Sequence, residues 1–561
     1  AFKYDVKITT AGGHPCYGIY NPEYPGRPDF KTQQKEDSFS TGTLLEHQKG
    51  FPFGMEPPFA SFKVLRAMNT AGTGNYAKYV TDNKHRSWVT PDYIFDGVLN
   101  YSRAVAPRHQ SENYTTALNN LRKEFNVKER IPLISWNKAR TVIPQSTSPG
   151  LPYIQHGIHK KVDALDEDFD KMVDYWNKIG KGAKTEPIPD CAAFARSHIS
   201  DVDVNKVRPV WAYPITAILS ESRFAHSIIN DLTSQKIGKH TAYGMEMMKG
   251  GMTWLQGQVL ELNHNSPGAQ YVMTDYSSFD STVPAWLIRD CFKVIREKLD
   301  FSKEIDEKGN LVESDARSNL RIFKKLESYF INTPIRNPDG RRFRKDHGVP
   351  SGSMFTNIID TMINFVVSQT ASLYTFGELA IFELYFGDDT LCAFPSTTII
   401  NLDIYSDNVE LLFGMTVNKK KSYYTTNPQN IHFLGYFNYR GTPVKSSIEL
   451  LSAMIFPQYM KDDWAYCVSR ALGCLLASAG ANSDVYNAAR GVYNLAKQYP
   501  GKIEEGIDLI RRNPRMRRHI ITLGCEDLVL TQRFFENQEL SIPRNNCKKL
   551  ELFINIVEKS S

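Results

Sequence analysis

A Gly-Asp-Asp triplet between two apolar runs constrains this chain more than any other feature. Residues 379 to 386 are largely apolar, Tyr385-Phe386-Gly387-Asp388-Asp389 carries the triplet, and Leu391, Cys392, Ala393 and Phe394 resume the apolar run. Two apolar segments joined this way predict a β-hairpin, because glycine tolerates positive φ and aspartate suits a turn. Such a hairpin holds two carboxylates at its tip. Adjacent like charges cost free energy unless a cation compensates them, so one reading is a divalent-metal site with oxygen ligands. An ordinary exposed turn is the other, and the surrounding chain has to choose between them.

The chain has 561 residues, 41% of them hydrophobic and 12% aromatic, which is more than one ordinary domain and ample for large cores. A formal charge of +6 permits a polyanionic partner without demanding one. Eight cysteines are scattered with no CxxC pair, which argues against a zinc ribbon or a disulfide framework and predicts a reducing compartment. The N-terminus lacks an apolar signal core, and no apolar run approaches the ~18 residues that cross a bilayer. The expectation is a soluble, intracellular protein with no membrane partner. No internal repeat is present, which excludes a solenoid.

Residues 1 to about 145 are rich in Gly and Pro turns and carry no assignable chemistry. In Ser146-Thr147-Ser148-Pro149-Gly150-Leu151-Pro152-Tyr153 two prolines impose an extended loop, and Gly150 allows close approach of another chain. A strand-binding channel and a structural turn are both open readings. In Asn205-Lys206-Val207-Arg208-Pro209-Val210-Trp211 the alternation sets Lys206 and Arg208 on one strand face, suited to a triphosphate or to an ordinary solvated edge. Tyr271-Val272-Met273-Thr274-Asp275 reads as a strand ending in an acid. Asp280 follows just before a helix with apolar residues at 3.6 spacing and Pro284 in its first turn, so helix capping is one role for Asp280.

The pattern from residue 303 to 339 is mostly helical. Arg341-Arg342-Phe343-Arg344-Lys345 then reads as a cationic strand edge able to track phosphates. Gly348-Val349-Pro350-Ser351-Gly352-Ser353 is a loop where Gly352 lets backbone and a nucleotide approach closely, leading into an apolar helix on which Thr356, Asp360 and Asn364 share one face. Those three groups need partners, from a ligand or from a buried network. Residues 399 to 413 read as a helix closed by Gly414, and residues 417 to 424 follow with Lys419-Lys420-Lys421. Ile431 to Phe437 form a second, aromatic hairpin. The pattern after about residue 441 is helical, with a basic run from Arg511 to His519.

Taken in order, these segments resemble the motifs of viral RNA-dependent RNA polymerases over roughly residues 146 to 440. The wording of Lys206-Val207-Arg208-Pro209-Val210-Trp211, Val283-Pro284-Ala285-Trp286-Leu287-Ile288-Arg289 and Gly348-Val349-Pro350-Ser351-Gly352-Ser353 is most similar to the segmented double-stranded RNA viruses, partitiviruses first and picobirnaviruses second. The resemblance implies an α+β closed right hand with an antiparallel palm sheet flanked by helices. It implies fingers from residues 1–264 and 301–346, palm from 265–300 and 347–440, and thumb and C-terminal tail from 441–561. It assigns catalysis to Asp275, Asp388, Asp389 and Lys421, with Asp275, Asp388 and Asp389 at two Mg²⁺ ions for which Mn²⁺ can substitute. It assigns NTP binding to Lys206, Arg208, Asp280, Ser351, Gly352, Thr356 and Asp360, and RNA binding to Ser148, Gly150 and Arg344. The implied partners are template and nascent RNA, NTPs and a viral capsid protein, and the implied location is the virion interior and the host cytoplasm. One position departs from the pattern: picornavirus-type enzymes carry Asn nine residues after the loop serine, where this chain has Asp360, and Asn357 is off that register. A reverse transcriptase would share the paired-acid hairpin but place a bulky steric gate where Asp280 stands. A non-catalytic RNA-binding protein would tolerate neutral residues at Asp275, Asp388 and Asp389.

Overall fold

The computed structural model describes residues 41–513 and 517, apart from 55, 56, 110, 235, 460 and 479–481. Cys16, Cys525, Cys547 and, in the basic run, residues 514–516, 518 and 519 lie outside them. In chain order, the elements that frame the site are strands β1 (Cys191–Ser197) and β2 (Val207–Ala212), helix α1 (Ile215–Thr233), strand β3 (Gln270–Met273) and helices α2 (Ala285–Lys298) and α3 (Thr356–Phe376). Strands β4 (Phe382–Phe386) and β5 (Asp389–Phe394), helix α4 (Leu402–Phe413) and strand β6 (Tyr423–Thr425) complete them.

Strands β4 and β5 are the expected hairpin, and they enter an antiparallel sheet of order β4-β5-β3-β6. Their apolar runs are nearly continuous because both faces of the sheet are covered. Val272, Tyr385, Cys392 and Phe394 point into a core shared with α2, α3 and α4. Tyr271, Met273, Leu384, Leu391 and Ala393 point the other way, onto Met252, Leu255 and Val259 of the helix Gly251–Asn265 and onto Phe433. The outer edge of β4 is occupied too: Tyr385 N donates to His240 O at 2.8 Å and Ala242 N to Tyr385 O at 2.9 Å. That leaves no open ladder beside the hairpin.

A second sheet places β2 at its edge, in the order Thr43–Leu45, Arg342–Arg344, Pro334–Arg336, β1, β2. The cationic strand is therefore internal, paired on both sides, and the expected phosphate-tracking edge is corrected. Arg342 binds both oxygens of Asp190. Arg341 pairs with Asp339 and Asp92. Lys345 is fully buried, donating to the carbonyls of Phe330, Ile331 and Gly348. Arg344 remains exposed.

One other expectation changes. Strands Leu299–Ile305 and Leu311–Glu313 precede the helix Ala316–Ile331, because Asp306 accepts from the amides of Lys308 and Asn310 and Gly309 takes φ +84°, a hairpin turn inside a charged stretch. Over 417 to 424 the chain turns: Asn418 Oδ1 accepts from the amides of Lys420 and Lys421, and β6 starts at Tyr423.

The helices after residue 446 form a separate core. Trp464, Val468, Leu472, Val485 and Val492 pack there with Val64, Leu65 and Met68 of the helix Phe62–Thr70 and with Val80 of the helix Gly74–Asn83. Ser61 N donates to Ile455 O, and the buried Arg86 donates twice to Phe456 O and once to Ser197 O. A single N-terminal block 1–264 does not anticipate this packing. Cys191, Cys291, Cys392, Cys467 and Cys474 are buried and free. Among the described residues no helix is long and apolar enough to cross a membrane.

Candidate active site

The tip of the β4–β5 hairpin closes between Phe386 and Asp389, and Gly387 takes φ +56°, the conformation that favours glycine there. Continuing the β3–β5 pairing beyond Val272 and Cys392 sets Asp275 across from Asp389 at the same end of the sheet. The backbone of Asp275 is pinned from the other side: its N–H donates to Ser422 Oγ at 2.9 Å, and Asn418 N donates to its carbonyl at 2.7 Å. The turn 418–421 that carries Lys421 thus wraps Asp275.

Asp275, Asp388 and Asp389 all reach solvent, yet the protein packed at their bases withholds hydration. That desolvation, with Asp275 adding to it, lifts Asp388 above the usual carboxylate range, while Arg208 opposes the shift. Asp389 is pushed up to about 7 by desolvation, then by Asp388 and Asp275. Two adjacent carboxylates that resist ionising together, with a third beside them, suit a cation. Among the described residues no group of three or more His, Cys, Asp or Glu side chains is arranged to hold a metal ion by itself. An open cluster of this kind suits Mg²⁺, which binds through one or two carboxylates while retaining waters and substrate phosphates.

Cationic side chains face the acids. Arg208 is exposed on β2, and Lys206, half-buried, immediately precedes that strand. Lys206 is held below the usual lysine value by desolvation, then by Arg208 and Lys421, with Asp275 pulling the other way. All four groups therefore lie in one field. The loop before α3 is laid against β2: Trp211 N donates to Ser351 Oγ at 2.9 Å, and a Cβ on Gly352 would stand 1.8 Å from Trp211 O. The close approach of backbone expected at Gly352 is made by the chain's own β2. Thr356 Oγ1 donates to Pro350 O within the same loop.

Asp280 lies in a short helix, Phe279–Thr282, and α2 starts from Pro284, so Asp280 is not the cap of α2. Its carboxyl hydrogen-bonds that of Asp360, which is buried on α3. Burial pushes Asp280 up to about 6, with Asp388 adding to the shift and Asp360, Arg208 and Lys345 opposing it. Asp360 is held well above the usual range by burial, then by the charge of Asp280 and the bond to it. One proton shared by the two acids reconciles them. Thr356 plays no bridging part, and Asp360 Oδ1 has no hydrogen-bond partner among the described residues. Asn357 accepts from the Tyr243 hydroxyl.

The three candidate RNA-binding residues stand apart from this cluster. Ser148 is half-buried, and Lys161 Nζ donates to its carbonyl at 2.9 Å. Gly150 is buried with φ +69°, and a Cβ there would meet Tyr213 O at 2.9 Å, so its close neighbour is again this chain. Sequence reasoning passed over Glu221 on α1, which is fully buried and accepts from Ser353 Oγ and, at 3.1 Å, from Met354 N. It also passed over Thr361, whose hydroxyl accepts from Gly387 N. A second polar residue, next to Asp360 in an otherwise apolar helix, was the available signal for Thr361.

Residues 77–469 match the model of the viral RNA-dependent RNA polymerase family. The chain belongs to that family. Its curated relatives include the RNA-directed RNA polymerases of Cryptosporidium parvum virus 1, 28% identical over 64% of this chain and 67% of the relative, and of Atkinsonella hypoxylon virus, 27% identical over 53% and 48%. That of White clover cryptic virus 1 is 24% identical over 52% and 49%. The chain thus spans two thirds of the first relative and about half of the other two. Among solved structures it is similar to the RNA-dependent RNA polymerase of a human picobirnavirus (TM-score 0.59, 14% identity, 86% of this chain and 94% of that one). It is also similar to the Sicinivirus 3Dpol polymerase (TM-score 0.60, 14% identity, 85% and 100%). The fold is the α+β right hand of these polymerases, and in sequence the family member is partitivirus-like, with a picobirnavirus enzyme as a fold neighbour. Polymerases of this family use divalent metal ions, an RNA template and NTPs.

Proposed function

We propose that this chain copies and transcribes a segmented double-stranded RNA genome by template-directed nucleotidyl transfer. The observation that carries the reading is the placement of Asp275: its charge acts on Asp388, Asp389 and Lys206, and its backbone is wrapped by the turn bearing Lys421.

Asp275 and Asp388 hold two Mg²⁺ ions, or Mn²⁺ in their place, and Asp389 supports them. When bound, these ions activate the growing RNA 3′-OH and stabilise the charge that develops on the leaving group. The 3′-oxygen bonds to the α-phosphorus as the bond from that phosphorus to the bridging oxygen breaks. The hydroxyl proton passes to water. Pyrophosphate leaves, and Lys421 supplies it with a proton. Lys206 and Arg208 neutralise the triphosphate. The Asp280–Asp360 pair receives the ribose, with Asp280 accepting from the 2′-OH. The loop Ser351–Gly352, through its hold on β2, and Thr356, through its bond to Pro350, border that pocket. Ser148, Gly150 and Arg344 border the RNA path. The chain works inside a virion, against capsid protein, in the host cytoplasm.

The test is RNA synthesis by the purified protein on a single-stranded RNA template with all four NTPs and Mg²⁺, with and without primer. Asp388→Asn and Asp275→Asn are expected to fold and to lose polymerisation. Near wild-type turnover in either variant sinks the metal assignment. Preferential use of dNTPs would favour the reverse-transcriptase reading, and RNA binding without synthesis a non-catalytic one.

A further inference from the structure

Helix α3 holds the acid-bearing turn from behind. Asn364 is fully buried between apolar neighbours, a placement that is costly unless every polar atom is paired. Its Nδ2 donates to Gly387 O and to Asp389 O, both at 3.0 Å, the two carbonyls that flank Asp388. Its Oδ1 accepts from Thr390 Oγ1 at 2.8 Å and Ser368 Oγ at 3.1 Å, and the hydroxyl of Tyr276, the residue after Asp275, lies 3.4 Å away. One helical turn earlier, Thr361 Oγ1 accepts from Gly387 N at 2.9 Å while donating to Asn357 O at 2.7 Å. The N–H and C=O of Gly387 are therefore both bonded to α3, and the same asparagine reaches the segment that carries Asp275.

We propose that Asn364 and Thr361 are positioning residues that set the cation affinity of the Asp275, Asp388 and Asp389 cluster. This rests on the metal reading above. Neither side chain touches the cation or the substrate. What they fix is the backbone from which Asp388 and Asp389 hang and its spacing to Asp275, leaving side-chain rotation as the remaining freedom of Asp388. Partners one bond behind metal-binding groups commonly govern affinity in this way.

The probe is Mn²⁺ binding to the full chain without RNA or nucleotide, followed by the electron paramagnetic resonance of unbound Mn²⁺. Wild type is compared with Asp388→Asn, Asn364→Leu, Thr361→Val and Thr361→Ser. Affinity is expected to fall on the order of 10- to 100-fold in Asn364→Leu. It should fall about 3- to 10-fold in Thr361→Val, as loss of one hydrogen bond implies, and return in Thr361→Ser. If Asn364→Leu does not fold, the Thr361 pair decides. Wild-type affinity in Thr361→Val, with binding lost in Asp388→Asn, overturns the positioning role while leaving the metal reading intact. Unchanged affinity in Asp388→Asn overturns both.

Discussion

Glu221 offers a measurable handle on how the loop before α3 is held. Its carboxyl is fully buried, accepts from Ser353 and Met354 of that loop, and is pushed by burial from 4.5 up to about 8, against the pull of those two hydrogen bonds. With a raised native pKa, the folded protein binds a proton that the unfolded chain releases at 4.5. Stability is therefore fully present below pH 4.5 and is lost as pH rises towards 8, by about 1.4 kcal/mol per pH unit. The whole window corresponds to a ceiling of about 5 kcal/mol, of which more than half is lost by pH 7. Glu221→Gln keeps the volume, accepts from Met354 N, donates to Ser353 Oγ and cannot ionise. Thermal unfolding midpoints of variant and wild type should coincide near pH 5 and diverge as pH rises, with the variant higher. The infrared carbonyl band of protonated carboxylic acids should be weaker in the variant than in wild type at pH 7, by the share of one carboxyl. Parallel stability curves from pH 5 to 9 would refute the reasoning.

Two further outcomes bear on the substrate. Asp280→Ala should retain some activity but reduce the preference for an NTP over its dNTP by about 1–3 kcal/mol, roughly 5- to 150-fold in the ratio of kcat/KM values, as expected for a lost buried hydrogen bond. An unchanged ratio would move ribose selection to Asp360 or Asn357. Arg208→Ala should lower kcat/KM for all four NTPs alike, since a triphosphate contact carries no base information. Arg208 holds Asp280 and Asp388 down, so the same variant should shift the acid limb of the pH–rate profile to higher pH. A base-selective defect or an unmoved acid limb would give Arg208 another role.

The parts of the site that depend on local pattern were legible in the sequence. Glycine, the paired acids and two nearly continuous apolar runs suffice for the hairpin, and the acid ending β3 follows from a short strand reaching a charge. Partners were not legible where they lie far along the chain. Leu219-Ser220-Glu221-Ser222-Arg223 reads as a polar helix face, yet the group that makes Glu221 tolerable in the core is Ser353, 132 residues later. Lys345 sits in a basic run that suggests solvent, and three carbonyls converge on it only in the fold. Gly150 and Gly352 were correctly marked as points of close approach, but the sequence does not say to what, and in both cases it is this chain's backbone between residues 211 and 214.

The shared core of the helices near the N-terminus and those after residue 446 has a consequence for synthesis. Ser61 meets Cys467 across 406 residues of sequence, and Val64, Leu65 and Met68 have their apolar partners there. At ribosomal speeds of about 5–20 residues per second, these early helices wait roughly 20–80 s for the surfaces that bury them. Until then their apolar faces are exposed to chaperones or to neighbouring chains. The fastening of Arg86 to Phe456 waits in the same way, for 370 residues. A nascent chain that already carries every acid of the hairpin thus still lacks the second half of this core, which closes only when the helices after residue 446 are made.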